Sequence, residues 1–188
     1  MKRVMIDIET LGKNPGCVIL SIGAVQFGDE RKGEWFYEKI SIDDCTRNGL
    51  VIDESTLRWW GEQSQAARSE AFSGKQFLNS ALYNLKAWIG DGAQVWGNGA
   101  AFDLGILRAA YIKFGINDPW TYSKERCYRT LRDLCPTGMD FSYEDDTFQL
   151  VDAPEWYKNG TGKHNALYDA ALQSKKAEGM LRGMGCWE

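Results

Sequence analysis

The sequence predicts an α/β domain: a mixed sheet made of an antiparallel three-strand meander plus parallel strands, flanked by α-helices. Two observations predict it. The amino-terminal part holds three apolar segments separated by turn-rich connectors, and after them helical spacings alternate with further short strand candidates. The chain has 188 residues, 44% of them hydrophobic, with eight each of Trp, Tyr and Phe. That size suits one domain over residues 1–188 with a sizeable core, and the composition excludes a disordered chain.

Residues 3–9 read as a strand in which Val4, Ile6 and Ile8 alternate with Met5, Asp7 and Glu9. Residues 17–27 and 34–41 read as the second and third strands, joined through Gly12–Gly16 and Gly28–Gly33, which carry turn residues. Ser73 is a plausible N-cap for a helix over 75–89, with Leu78, Leu82, Leu85 and Ile89 at helical spacing. Residues 94–97 are a short strand candidate. Leu104, Leu107, Ala110, Tyr111 and Phe114 give the inner stripe of a helix over 103–114. A short helix is expected at 126–134, then a loop region over one end of the site at 136–162, and a last helix from near Asn165 to about Met180.

The formal net charge is −4. That argues against a basic face that coats nucleic acid, though four acids bound to metal would leave the rest of the chain neutral. The five cysteines include no C-x-x-C pair, so reduced thiols in a cytoplasmic protein are expected rather than a zinc knuckle or disulfide framework. The apolar run after Lys2 and Arg3 breaks at Asp7, which fits no signal peptide, and no stretch is long enough to span a membrane. Neither G-x-G-x-x-G nor a P-loop run appears, which disfavours a dinucleotide oxidoreductase or a P-loop enzyme.

Three acidic motifs carry the chemistry. Asp7 and Glu9, two apart on a strand, leave the same face. Side by side they repel unless neutralised, and carboxylates suit hard ions such as Mg²⁺ or Mn²⁺. Alone, the pair also fits a solvated strand end. Asp103 closes Asn98-Gly99-Ala100-Ala101-Phe102-Asp103 at the start of a helix, where it is equally suited to capping. His164, the only histidine, precedes Asp169 by five residues. On one helix the two would diverge by about 140°. They therefore share a site only if His164 sits on the loop before the helix or in its first turn. Four carboxylates and one imidazole are the parts for two divalent metals and a general base, a set suited to phosphodiester hydrolysis.

Together the motifs Asp7-x-Glu9-Thr10, Asn98-x-x-x-Phe102-Asp103 and His164-x-Ala166-x-x-Asp169 resemble those of the DnaQ-like 3′–5′ exonucleases of the DEDDh group, which have a ribonuclease H-like fold. The sister group has tyrosine where this chain has Asn165. The motifs span nearly the whole domain. Ser55 to Trp60, with Gln63 and Arg68, resembles the small bacterial and phage exoribonuclease-like branch.

The resemblance implies that Asp7, Glu9 and Asp169 hold one metal, with Asp7 bridging to a second to which Asp103 contributes. Neutral His164 would take the proton from the attacking water. The implied substrate is single-stranded RNA or DNA with a free 3′ end, the product a nucleoside 5′-monophosphate, and a homodimer is possible by analogy. Thr10, Leu11 and Gly12 would lie against the terminal nucleotide, with backbone N–H groups and an apolar wedge. Asn98 and Phe102 would order the site or bind substrate. Trp59 and Trp60 are candidates for base stacking, although adjacent aromatics on a helix more often divide into one core and one partly exposed residue. Arg126, Arg129, Arg132, Lys158 and Lys163 are candidates for phosphate contact or for a solvated surface. A ribonuclease H-type endonuclease and a non-catalytic nucleic-acid-binding module remain the alternatives.

Overall fold

The computed structural model describes residues 1–28, 31–136, 149–158, 162 and 164–187. Its five-stranded sheet is built around β1 (Arg3–Thr10). β1 pairs antiparallel with β2 (Ile19–Phe27), from Arg3↔Phe27 to Thr10↔Ile19, and β2 pairs antiparallel with β3 (Trp35–Lys39). On its other side β1 pairs parallel with β4 (Gln94–Gly97), which pairs parallel with β5 (Glu125–Cys127). The order is β3-β2-β1-β4-β5, the expected mixed sheet.

Strand alternation sends β1 side chains to two different cores. Val4, Ile6 and Ile8 pack with α4 (Leu78–Ile89) and α5 (Ala100–Lys113) through Leu78, Leu82, Leu85, Leu104 and Leu107. Met5, with Val25 and Phe27 from β2, packs on the other face against α6 (Tyr128–Leu134) and α8 (Ala166–Gly183). A short helix α7 (Glu155–Lys158) precedes α8. With helices on both faces, β2 is buried throughout, and β1 is buried except at Asp7 and Glu9.

Several details differ from the sequence reading. Three short helices follow β3: α1 (Ile42–Arg47), α2 (Glu54–Gly61) and α3 (Gln65–Ala71). Each is opened by a side-chain cap, from Ser41, Asp53 and Ser64 respectively. Second, Ser73 is not the cap of α4. Its hydroxyl donates to the Glu70 carbonyl at 2.8 Å, and α4 begins at Leu78, whose N–H donates to Asp44 Oδ2 at 2.8 Å. The delay has a cause: Gly74 presses on the Ile40 backbone, and Gln76 hydrogen bonds to both Lys39 and Ser41, which holds this segment extended along β3. Third, residues 125–127 form β5 before α6 begins at Tyr128, because pairing with β4 overrides the helical pattern. Finally, α5 begins at Ala100 rather than 103, and α8 runs on to Gly183. Most of the expected loop at 136–162 lies outside the described residues. All five cysteines are free thiols. Among the described residues no helix is long and apolar enough to cross a membrane.

Candidate active site

The site forms where the carboxyl end of β1 meets α8. Asp7 and Glu9 leave β1 on the face that α8 covers, as their spacing requires. Asp169, in the first turn of α8, joins them there, and one carboxylate oxygen from each of the three lies within 4.8 Å of the others. Asp103 arrives from the first turn of α5, which follows β4 directly. Gly97 leaves room for it, since a Cβ there would stand 3.0 Å from Asp103 Oδ2. Capping is not the role of Asp103: the N-cap of α5 is Gly99, at φ 111°, and the Asp103 side chain is buried with Oδ2 lacking any hydrogen-bond partner.

Burial raises the pKa of Asp7 well above the carboxylate range, and Asp103, Glu9 and Asp169 beside it add to the effect. Glu9 is pushed up to about 8, by burial first and then by Asp169 and Asp103. Asp103 is pushed up to about 7 by burial, against the lowering effect of backbone hydrogen bonds and Arg129. Acids so placed must take up protons or a cation. An orphaned buried oxygen on Asp103 and three further carboxylates converging on one point fit a hard divalent ion.

His164 lies on the turn before α8, the placement its spacing from Asp169 demanded. It adopts φ 62°, in the left-handed region that His tolerates better than most residues. Asn165 follows as N-cap, its Oδ1 accepting from the N–H groups of Leu167 (3.0 Å) and Tyr168 (3.1 Å). Its Nδ2 donates to Tyr37 Oη at 2.9 Å, which ties the turn to β3. The imidazole packs edge-on against Trp59, at 5.0 Å between centroids, with Trp60 at 6.3 Å.

All four acids and His164 line one open cleft of about 560 Å³. Thr10, Gly12, Asn98, Phe102 and Trp59 line it too. Two expectations need correction. Leu11 is only 1% exposed and packs into the core, so it offers no wedge to the cleft. Trp60 is also 1% exposed and spends its indole N–H on the Thr10 carbonyl at 2.9 Å. It braces the cleft wall, while its neighbour Trp59 is 41% exposed. Of the basic candidates, Arg129 lines the cleft and donates to the Asn98 carbonyl at 2.9 Å. Arg126 is turned to the Ser123 and Glu125 carbonyls, and Arg132 pairs with Asp133 at the surface. Lys163 and the Lys158 side chain lie outside the described residues.

Sequence reasoning missed four participants. Lys13 and Thr56 line the cleft. Gln173 donates to Asp7 Oδ1 at 2.9 Å. Gly23, opposite Asp7 in the sheet, lets α8 approach the strand. A signal existed for two of them: Gln173 falls one helical turn after Asp169, and a glycine inside an apolar strand often marks close approach of another backbone.

The family described as the 3′-5′ exoribonuclease Rv2179c-like domain matches residues 2–181. Among solved structures, cell-death related nuclease 4 (CRN-4) is similar, with TM-score 0.56 and 11% identity over 98% of this chain. The match covers 64% of that nuclease, so this chain spans slightly less than two thirds of its length. The nuclease domain of 3′hExo, a DEDDh family member bound to rAMP, is similar with TM-score 0.55 and 12% identity, over 98% of this chain and 93% of that one. At such identities the likeness is one of fold, the ribonuclease H-like arrangement the motifs implied. No curated protein matches the chain.

Proposed function

The chain belongs to the 3′-5′ exoribonuclease Rv2179c-like domain family, and on that premise we propose that it removes nucleotides one at a time from the 3′ end of single-stranded RNA, releasing nucleoside 5′-monophosphates. The observation that carries this reading is the meeting of Asp7, Glu9, Asp103, Asp169 and His164 at one open cleft. Asp7, Glu9 and Asp169 would hold one divalent cation, Mg²⁺ or Mn²⁺, and Asp7 with Asp103 would hold a second. When bound, such a pair of ions activates the attacking water and stabilises the leaving 3′ oxygen.

The chain's own groups do the rest. His164, at the cleft edge and kept off α8 by its turn, takes the proton from the water. The Trp59 edge contact sets the imidazole plane, and the exposed part of the Trp59 indole stacks on a base without regard to its identity. Arg129 and Lys13 supply the positive lip that an otherwise acidic cleft needs to receive phosphates. Asn98, whose Oδ1 is buried without a partner, and Thr10 complete the wall against the terminal nucleotide. The rAMP bound to the 3′hExo domain belongs to the product class proposed here.

The test uses 3′- and 5′-end-labelled single-stranded RNA and DNA with Mn²⁺ or Mg²⁺, comparing wild type with His164→Ala. The expected result is metal-dependent stepwise shortening from the 3′ end, faster on RNA, and about 10²–10⁴-fold slower in the variant. Cleavage of circular RNA would indicate a ribonuclease H-type endonuclease instead. Activity indifferent to His164 would remove the imidazole from the mechanism.

A further inference from the structure

Gln173 stands one turn beyond Asp169 on α8, so the two side chains leave the helix on the same face. Its Nε2 donates to Asp7 Oδ1 at 2.9 Å, a contact between residues 166 apart in the chain. The side chain is buried, yet its own Oε1 has no hydrogen-bond partner. A buried amide with one end unsatisfied is a poor choice for stability, and an unbranched apolar side chain would fill the same space without that penalty. Its amide N–H contact is with an acid of the cleft, Asp7.

We propose that Gln173 is a positioning residue for cation binding: its amide holds the Asp7 carboxylate in the orientation that turns it toward Glu9 and Asp169. The inference rests on the reading of these acids as cation ligands. Three carboxylates brought together repel, and an Asp7 free to rotate would turn away from its neighbours until a cation arrived. A donor fixed to the helix that also carries Asp169 removes that freedom beforehand. Docking of α8 thus delivers one ligand and orients another in a single packing event. Residues that hold a ligand in this way typically change metal affinity by about 10–100-fold when replaced.

The experiment is a Mn²⁺ titration of the metal-stripped full chain, with free ion followed by electron paramagnetic resonance. Wild type, Gln173→Met and Asp169→Asn are compared, each with its metal-free melting temperature. Wild type should bind Mn²⁺ and Asp169→Asn should lose that binding. Gln173→Met should bind at least about tenfold more weakly. Its metal-free melting temperature should stay within about 3 °C of wild type, because a lost hydrogen bond and a removed orphan oxygen offset each other. Equal affinity in Gln173→Met and wild type overturns the inference and leaves the ligand assignment standing. A weaker affinity matched by a large fall in metal-free melting temperature also overturns it, since that is the signature of a loosened helix. A wild type that binds no Mn²⁺ overturns the ligand reading and this inference with it. If Gln173→Met does not fold, Gln173→Asn keeps an amide but withdraws it by one methylene. The same weakening is expected there, and unchanged affinity is again decisive against the role.

Discussion

Asp7→Asn is expected to cut turnover by about 10³-fold or more while leaving the metal-free protein at least as stable as wild type. The two effects share one cause. Burial raises the pKa of Asp7 well above its ordinary value, and Asp103, Glu9 and Asp169 around it add to the rise. Removing its charge removes both a proposed cation ligand and a source of repulsion, a trade between function and stability common at active sites.

The same cluster sets a pH dependence. In the metal-free fold Glu9 is pushed up to about 8 from 4.5, and Asp103 to about 7 from 3.8. Between these limits the native state holds protons that the unfolded chain has already released. Their contribution to stability is therefore complete below the unfolded values and is lost as pH rises through the folded ones. Thermal melts in EDTA should show the wild-type melting temperature falling by several degrees between about pH 5.5 and about pH 8.5. Mn²⁺ at the higher pH should restore it, and Asp7→Asn should flatten the slope. A metal-free melting temperature that climbs over this range would contradict the burial of these acids.

Gly23→Ala should disable the site without touching any charged group. Gly23 pairs with Asp7 across β1 and β2, and α8 passes directly over it. A Cβ at this position would lie 2.2 Å from the Ala166 carbonyl carbon and 2.3 Å from Leu167 N. Both are backbone atoms in the first turn of α8, so no rotamer change relieves the clash. The turn must move, and Asp169, His164 and Gln173 move with it. Overpacking of this kind costs about 1–3 kcal/mol, which for a chain of this size lowers the melting temperature by roughly 3–10 °C. Mn²⁺ affinity and turnover should fall together. Gly105→Ala is the control: nothing lies within 4 Å of that Cβ on α5, and alanine there should be neutral or stabilising. Wild-type melting and Mn²⁺ binding in Gly23→Ala would mean that α8 does not sit where the structure places it.

Much of the site was legible because its logic is local. A strand's alternation puts Asp7 and Glu9 on one face whatever the strand pairs with. Five residues between His164 and Asp169 exclude a shared helical face, and the chain answers with a left-handed turn at His164 capped by Asn165. The short helices after β3 were also written locally, in the caps at Ser41, Asp53 and Ser64, but six to eight residues are too few for hydrophobic periodicity to stand out.

The other features that were not legible depend on contacts between distant segments. Ser73 looked like a cap, yet the N–H of Leu78 is capped by Asp44 from another helix, because the segment from Gly74 to Gln76 is held along β3. Trp59 and Trp60 are adjacent in the chain and belong to different environments, which depends on which side of α2 meets the Thr10 carbonyl.

The sequence by itself determined the opening three strands, the faces of β1, the separation of His164 from its helix and the set of acids. These follow from chain stereochemistry over a few residues. Only the tertiary structure decided that Asp103 is buried with an orphaned oxygen, that Leu11 turns inward, that Gly23 admits α8 and that Gln173 reaches Asp7. Those outcomes depend on how two cores pack against one sheet, and close packing fixes positions to fractions of an ångström that no short-range pattern encodes.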